Sequence, residues 1–174
     1  MDELCLESRK KIYNLIKKSP GIHFREIEKR LNMAVGSLQY HLHYLEKRNI
    51  IIRSEHYGAY VRYFPKDCQL DGTDKKILSF LRRKTSRHIL LYLLKKPANH
   101  KEISENIRLS PSTISWHLNK LVEAGIVEKT KKGRTSLFKV NNSERIINLL
   151  IIYKESFFDK LVDGFVEIWE NAEL

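Results

Sequence analysis

Cysteine is scarce in this 174-residue chain, which contains only Cys5 and Cys68. The two residues are far apart, and neither belongs to a CxxC motif or a Cys/His cluster. This spacing argues against a disulfide framework and against a structural zinc site. We therefore predict no bound metal and no cofactor.

Long apolar runs are also missing. No stretch approaches the roughly 18 residues that cross a bilayer, and residues 1–9 are acidic and lack the apolar core of a secretory signal. The chain has no nucleophile–base set, glycine-rich phosphate loop or paired carboxylates of the kind that enzymes use. These absences predict a cytoplasmic protein that has no membrane segment and is not an enzyme.

Positive charge is abundant and unevenly distributed. Residues 1–153 contain 30 Lys and Arg against 15 Asp and Glu, a net charge of +15, whereas residues 154–174 contain two against six, a net charge of −4. A basic segment of this kind is where a polyanion would bind. Lysine-rich solvated helix faces produce the same excess, so charge alone leaves both interpretations open.

The chain contains an internal repeat. Residues 38–42 (LQYHL) and 114–118 (ISWHL) are related by an offset of 76. The same offset pairs Ile27 with Ile103, Leu31 with Ile107 and Leu45 with Leu121, and one residue more pairs Ile12 with Ile89 and Pro20 with Pro97. Apolar positions that match over about 45 residues, with slips only in loops, indicate a duplicated structural unit.

Each unit has the pattern of a winged helix-turn-helix. A first helix ends at a proline, and a short helix, a tight turn and a longer helix follow. Alternating residues around a glycine-containing turn then predict a hairpin. The predicted helices are 8–18, 24–31 and 35–48 in one unit and 86–95, 101–107 and 111–124 in the other. The predicted strands are 50–54 and 60–64, then 126–130 and 136–140. Ser110 before Pro111 is typical of a helix start, and Asn49 and Gly125 are typical of left-handed caps.

The longer helix of each unit has an apolar side and a polar side. With 100° between successive residues, the leucine and isoleucine residues cluster together, and Tyr40 and Trp116 point away from them. The polar residues beside these aromatics suit base edges and phosphates in a major groove. The candidate DNA contacts are Ser37, Gln39, Tyr40, His43 and Lys47, and Ser112, Thr113, Ser115, Trp116, Asn119 and Lys120. Packing of the two aromatic rings against their own wing or a partner chain is the alternative.

His41 and His117 fall at the edge of the apolar side, and we expect each to bond to the backbone or to reach a phosphate.

The wings differ in charge. Lys131, Lys132 and Arg134 on the second turn predict contact with phosphates or the minor groove, although a merely solvated turn is also often charged. The first wing, residues 56–60, has no Lys or Arg at its tip, so it docks on protein or contacts DNA weakly.

The segment SPSTISWHLNKLVEAGIVE, residues 110–128, closely resembles the recognition-helix segment of ArsR-like winged-helix transcription regulators. The doubled arrangement resembles archaeal tandem winged-helix regulators. The resemblance is strong over residues 89–140 and weaker over residues 12–64. It implies DNA contacts through Ser112, Thr113, Ser115, Trp116 and His117, with Ser37, Gln39, Tyr40 and His41 as their equivalents. It also implies a homodimer formed by terminal helices, whereas the metal-sensing sets of many ArsR-like proteins are not evident here.

The predicted fold is mainly α-helical with small β-hairpin wings. Two tandem winged helix-turn-helix domains, 1–66 and 85–141, are joined by a linker and connecting helix, 67–84, and followed by a long C-terminal helix, 142–174, with Ser143 as its N-cap. This last helix is apolar on more than one face, so it must be buried. Homodimerisation is favoured over packing across the tandem domains. Membrane attachment is disfavoured because the helix is acidic.

These patterns predict a dimeric, sequence-specific regulator of transcription that binds double-stranded DNA through two winged helices per chain. Dimer symmetry would then separate half-sites by about 34 Å or multiples of it. The alternative is a protein-interaction module that acts on the transcription machinery, with Tyr40, Tyr57 and Tyr60 as its contact surface.

Overall fold

The computed structural model describes residues 2–55 and 60–172, and the side chains of residues 7–55 and 60–172. The chain divides into two compact units, residues 1–79 and 80–174. None of the helices in the described part of the chain is long and apolar enough to span a bilayer.

The first unit is a helix-turn-helix with a three-stranded antiparallel sheet. Its elements are α1 (Asp2–Lys18), β1 (Ile22–His23), α2 (Phe24–Leu31), α3 (Val35–Lys47), β2 (Ile51–Ser54) and β3 (Arg62–Pro65), followed by α4 (Gly72–Leu81), which crosses the boundary between the units. Strand β3 lies between β1 and β2. The predicted hairpin is therefore confirmed. The additional strand β1 has two residues and is too short to produce an alternating pattern.

The second unit repeats this order and adds two helices. Its elements are α5 (Lys84–Lys95), β4 (Ala98–Asn99), α6 (His100–Ile107), α7 (Pro111–Glu123), β5 (Val127–Lys132), β6 (Thr135–Val140), α8 (Ser143–Tyr153) and α9 (Lys160–Ala172). Strand β6 lies between β4 and β5. The two units thus share one topology, which confirms the predicted tandem winged helix-turn-helix architecture.

The apolar positions that the repeat pairs form the core of both units. Ile12 and Ile89 are fully buried at equivalent places in α1 and α5, and Ile27 and Ile103 are fully buried in α2 and α6. The apolar sides of α3 and α7 are buried as well, through Leu38, Leu42 and Leu45 and through Ile114, Leu118 and Leu121. Removing this apolar area from water is the main stabilising contribution. Each unit has enough of it to form its own core.

Local signals start and end the longer helices as the sequence predicts. The Ser110 hydroxyl accepts a hydrogen bond of 3.3 Å from the Thr113 N–H, and Pro111 occupies the first turn. Gly125 and Asn49, which follow the ends of α7 and α3, have left-handed φ angles of 72° and 56°. These caps satisfy backbone groups that a helix end leaves without partners.

The C-terminal segment consists of two helices, so the predicted single long helix is wrong. A 3-10 turn covers Lys154–Ser156 after α8. Phe158 then has a left-handed φ of 50°, and the Asp159 carboxylate accepts a 3.1 Å hydrogen bond from the Leu161 N–H. A left-handed residue ends one helix, and an aspartate cap begins the next. The predicted N-cap Ser143 is wrong too, because Asn142 holds that position without a side-chain cap bond.

A buried ion pair holds this break against α5. Arg87 donates to one oxygen of Asp159 from Nε at 2.9 Å and from Nη2 at 2.6 Å, and His88 Nε2 donates to the same oxygen at 2.8 Å. Both side chains of the ion pair are less than a tenth exposed. Arg82 Nη1 donates to the Ser156 carbonyl at 3.1 Å, and its guanidinium lies 4.5 Å from the Phe157 ring centroid. The break is therefore a specific packed feature of the second unit.

Candidate nucleic-acid interface

Helix α7 presents one open face, opposite the buried side of Ile114, Leu118 and Leu121. Trp116 is 51% exposed, and Ser112 and Asn119 are exposed on the same face. The Trp116 ring has an edge-on contact with His117, and the Arg83 guanidinium lies 5.8 Å from its centroid. The outward direction predicted for this ring agrees with its exposure.

Three polar residues predicted as contacts on α7 bond within the unit. The Thr113 hydroxyl is 2.8 Å from the Ser110 hydroxyl, and the Ser115 hydroxyl is 2.8 Å from His100 Nε2. Lys120 Nζ donates to the Glu123 carboxylate at 2.8 Å. Only the bond between Thr113 and Ser110 is of the local kind that is common at helix starts. These three residues are therefore less available to a ligand than Ser112, Trp116 and Asn119.

The two histidines that precede the repeated leucines lie inward. His117 Nδ1 is 2.9 Å from the Ser86 hydroxyl, and burial, followed by the nearby Arg83 charge, lowers the pKa of His117. His41 is 4% exposed, and burial, followed by the Arg9 charge, lowers its pKa as well. Both imidazoles are thus favoured in the neutral form. A phosphate contact would require His41 to lie on the open surface of the unit, and its burial places it away from that surface.

The second wing is a basic hairpin that projects into solvent. Every residue of β5 after Val127 is exposed, and Gly133 makes the turn with φ of 62°. Lys131, Lys132 and Arg134 are exposed at this tip. Lys129 lies further down the same strand, with Nζ 5.8 Å from the Phe138 ring centroid. With exposed Lys139 in β6, five cations thus lie on one hairpin.

A groove runs between α7 and this wing, and it contains residues that sequence patterns did not single out. His100 and Lys101 from the start of α6 line it, together with Asn119 of α7 and Lys129 of β5. His100 Nε2 also donates to the Pro111 carbonyl at 3.1 Å, so it joins the starts of α6 and α7. No sequence pattern brings these residues together, because the groove is formed by three segments that are distant in the chain.

The open face of α3 in the first unit differs from that of α7. Tyr40 is 59% exposed, and Ser37, Gln39, His43 and Lys47 are exposed around it. Beside this helix, Arg53 of β2 forms an ion pair with Glu55, and Tyr60 is 60% exposed. The predicted wing tip, including Tyr57, lies outside the described residues. The described part of the first wing therefore has no equivalent of the cationic tip of the second.

Side chains that could ligate a metal are dispersed in both units. Within residues 7–55 and 60–172, no three His, Cys, Asp or Glu side chains lie close enough together to hold an ion. The polar groups of α3, α7 and the wings are instead spread over open surfaces. Such an arrangement suits contact with an extended ligand.

Two protein-family models match the chain, one for each unit. A model described as an N-terminal HTH domain matches residues 6–78, and the model of the arsR family of bacterial regulatory proteins matches residues 83–129. The chain is also 37% identical, over 140 residues, to an uncharacterized HTH-type transcriptional regulator of Methanocaldococcus jannaschii. That match covers 80% of this chain but only 35% of the relative, so the chain spans about a third of its relative's length.

Solved structures that resemble the chain include HlyU from Vibrio cholerae, with a TM-score of 0.41, 24% identity and coverage of 45% of this chain and 85% of that one. The transcriptional repressor BigR from Xylella fastidiosa has a TM-score of 0.41, 19% identity and coverage of 45% and 80%. Overall similarity at this level does not assign a function. The chain contains two helix-turn-helix domains in tandem, and the second matches the model of the arsR family of regulatory proteins.

Proposed function

We propose that the protein is a transcription regulator that binds double-stranded DNA sequence-specifically with both of its winged helices. The observation that carries this proposal is the open face of α7 beside a basic wing. Ser112, Trp116 and Asn119 offer hydrogen bonds and an apolar edge for base readout, and the wing cations offer charge for phosphates. An α-helix of this size fits the major groove, and a flanking hairpin reaches the adjacent backbone.

Helix α3 of the first unit is a candidate for a second helix that reads DNA. The helix repeats the exposure pattern of α7, with Tyr40 in place of Trp116, and the core residues of the first unit are equivalent to those of the second. We infer that each chain contacts two successive stretches of duplex. Base readout is assigned to Ser37, Gln39, Tyr40, His43 and Lys47 in α3, and to Ser112, Trp116 and Asn119 in α7, supported at the rim by Thr113, Ser115 and Lys120.

Selection from a random duplex library tests this function. The wild-type protein is expected to enrich a preferred sequence, because Asn119 and Trp116 can distinguish base edges. Trp116→Ala and Asn119→Ala should each relax the preference at one or two positions, by about 1–3 kcal/mol per base pair, without changing the salt dependence of binding. Lys139→Ala, at an exposed position near the base of the hairpin, is the matched control. Failure of the wild-type protein to enrich any sequence would contradict specific recognition.

We propose further that the protein acts as a homodimer through α8 and α9. Ile152 is 67% exposed, Phe158 is 80% exposed and Ile168 is 70% exposed. Leu161, one heptad before Ile168, is exposed on the same side of α9, while Val162, Phe165 and Val166 are buried within the unit. Apolar surface of this extent on a regulatory domain is typical of a self-association site. A twofold dimer would place two reading units on each side of a pseudo-palindromic site.

Aspartate substitutions at the exposed apolar residues of α9, Leu161 and Ile168, are expected to produce monomers. The variant Leu161→Asp/Ile168→Asp should sediment as a monomer at about tens of micromolar, whereas the wild-type protein should sediment as a dimer, because burying two aspartates from each chain in an apolar interface is strongly unfavourable. Asp163→Ala and Glu167→Ala, on the acidic side of α9, are the controls and should leave the dimer intact. A monomeric wild-type protein would overturn this assignment.

A protein-interaction role remains the alternative for the first unit. The exposed rings of Tyr40 and Tyr60 support it, because aromatic residues are enriched at protein interfaces. Weak DNA binding that does not respond to salt, together with a protein that co-purifies with the chain, would favour this alternative.

A further inference from the structure

Arginine and tyrosine side chains alternate along one flank of α3. The Arg9 guanidinium of α1 lies 3.6 Å from the Tyr44 ring centroid and 6.0 Å from that of Tyr40. The Arg48 guanidinium, at the end of α3, lies 5.4 Å from the Tyr44 centroid. Because Tyr40, Tyr44 and Arg48 are four residues apart, they lie on the same flank of the helix. We call these four residues the arginine–tyrosine ladder.

The ladder belongs to the first unit alone. The repeat places Ser86 where the first unit has Arg9, and Lys120 and Ala124 where it has Tyr44 and Arg48. Ser86 bonds to His117, and Lys120 pairs with Glu123. The shared winged-helix core therefore forms without a ladder, and the fold does not require one.

No carboxylate within residues 7–55 and 60–172 neutralises the two guanidiniums of the ladder. Arg48 is exposed and Arg9 is partly exposed, whereas Arg9 Nε itself is buried, so a phosphate contact of Arg9 would use its other N–H groups. Stacking on an aromatic ring uses the flat face of a guanidinium and leaves its in-plane N–H groups for other partners. The tyrosine rings therefore hold the two guanidiniums in place, and their N–H groups other than Arg9 Nε can donate to another partner.

We propose that the ladder is the surface through which the first unit contacts DNA backbone phosphates, in place of a charged wing tip. The inference rests on the proposed function. Residues 56–59 contain no Lys or Arg, and the nearby Arg53 is paired with Glu55. Beside its reading helix, which has Lys47, the first unit thus has no cationic wing tip, and the ladder would supply two further positive charges. A stacked arginine binds phosphate oxygens bidentately and loses little side-chain freedom on binding.

Salt titration of DNA binding by the full-length chain tests the ladder. Arg9→Gln/Arg48→Gln should reduce the slope of log K against log salt by about 1 for each phosphate that is no longer neutralised. Tyr44→Leu keeps the net charge and removes the ring on which both guanidiniums stack, so affinity should fall several-fold. Tyr44→Phe keeps the ring and should bind like the wild-type protein. Lys18→Gln removes one exposed cation from the opposite side of α1 and is the matched charge control for the single variant Arg48→Gln.

The outcomes separate the ladder from the proposed function. If the folded double variant has the wild-type slope while neutralisation of the second wing reduces it, the ladder proposal is wrong and the function stands. If neither the ladder variants nor the wing variants change the slope, the proposed DNA-binding function is wrong as well. An equal loss of affinity in Lys18→Gln would show a general charge effect and overturn the ladder. Arg48 is exposed, so Arg48→Gln alone provides the test if Arg9 variants do not fold.

Discussion

Replacing Lys131, Lys132 and Arg134 together with glutamine is expected to weaken binding to every duplex, whatever its sequence. All three side chains are exposed at the tip of the β5–β6 hairpin, next to the open face of α7. Each phosphate contact releases counterions and contributes about 0.9 to the slope of log K against log salt. The slope should therefore fall by about 2 to 3 for each wing. Fluorescence anisotropy on specific and random duplexes between 50 and 200 mM salt, a range of about fourfold, measures this change.

The preferred sequence should remain the same in this variant, because phosphate contacts position a protein without reading bases. Lys139→Gln removes one cation from β6 at a place where the strand pairs with Glu128, away from the tip, and serves as the control. A variant that lost discrimination between duplexes while keeping its salt slope would show that the wing reads bases and does not neutralise phosphates.

Asp159→Ala is expected to destabilise the second unit by about 3–5 kcal/mol, because it leaves the buried Arg87 guanidinium without its counter-charge. Two bonds from Arg87 and one from His88 converge on a single oxygen of this carboxylate. Trp116 and Trp169 are the two tryptophans of the chain and both belong to the second unit, so urea unfolding followed by their fluorescence reports on that unit. Asp163→Ala, exposed in the helix α9 that follows Asp159, should change the free energy of unfolding by less than about 0.5 kcal/mol.

A double replacement and a pH series sharpen this second prediction. Arg87→Met/Asp159→Leu should recover much of the stability, since apolar side chains avoid the cost of a buried charge. Burial by itself would raise the pKa of Asp159, but the bonds from Arg87, His88 and the Leu161 N–H hold it below its usual range. Its contribution is therefore complete above the unfolded pKa of about 3.9 and disappears as the pH falls through the folded pKa. Equal acid sensitivity in Asp159→Asn and the wild-type protein would contradict this assignment.

Most of the fold could be predicted from the repeat. Ile12 and Ile89, and likewise Leu42 and Leu118, occupy equivalent buried places because the same spacing of apolar residues generates the same helix faces. Proline, glycine and the Ser110 cap then set most helix ends within one or two residues, but α1 begins at Asp2, six residues before the predicted start at residue 8. Strands β1 and β4 were not predicted, because an alternation of apolar and polar residues cannot be recognised in only two residues.

The candidate site was less predictable than the fold. Helical spacing places Tyr40 and Trp116 on the outside, and both are more than half exposed. Spacing does not reveal that the hydroxyls of Thr113 and Ser115 turn toward Ser110 and His100, since these partners come from the helix cap and from another helix. His41 was expected to bond to the backbone or to reach a phosphate; it is buried, because its place on the helix lies closer to the core than the angle alone indicates.

The C-terminal segment shows where sequence periodicity stops being informative. A continuous run of apolar residues from Ile146 to Trp169 is compatible with one helix. The break at Phe158 depends on the capping carboxylate of Asp159, and that carboxylate depends on Arg87 and His88, some seventy residues earlier in the chain. Such a long-range ion pair leaves no local signal.

The sequence by itself determined that this chain contains two helix-turn-helix units with their aromatic residues facing outward, because helix faces follow from local spacing and caps. Only the tertiary structure decided which polar groups are available on those faces, where the last helix divides, and which cations stack on α3. These features depend on contacts between residues far apart in the chain, and burial and charge pairing are resolved only when the segments have packed together.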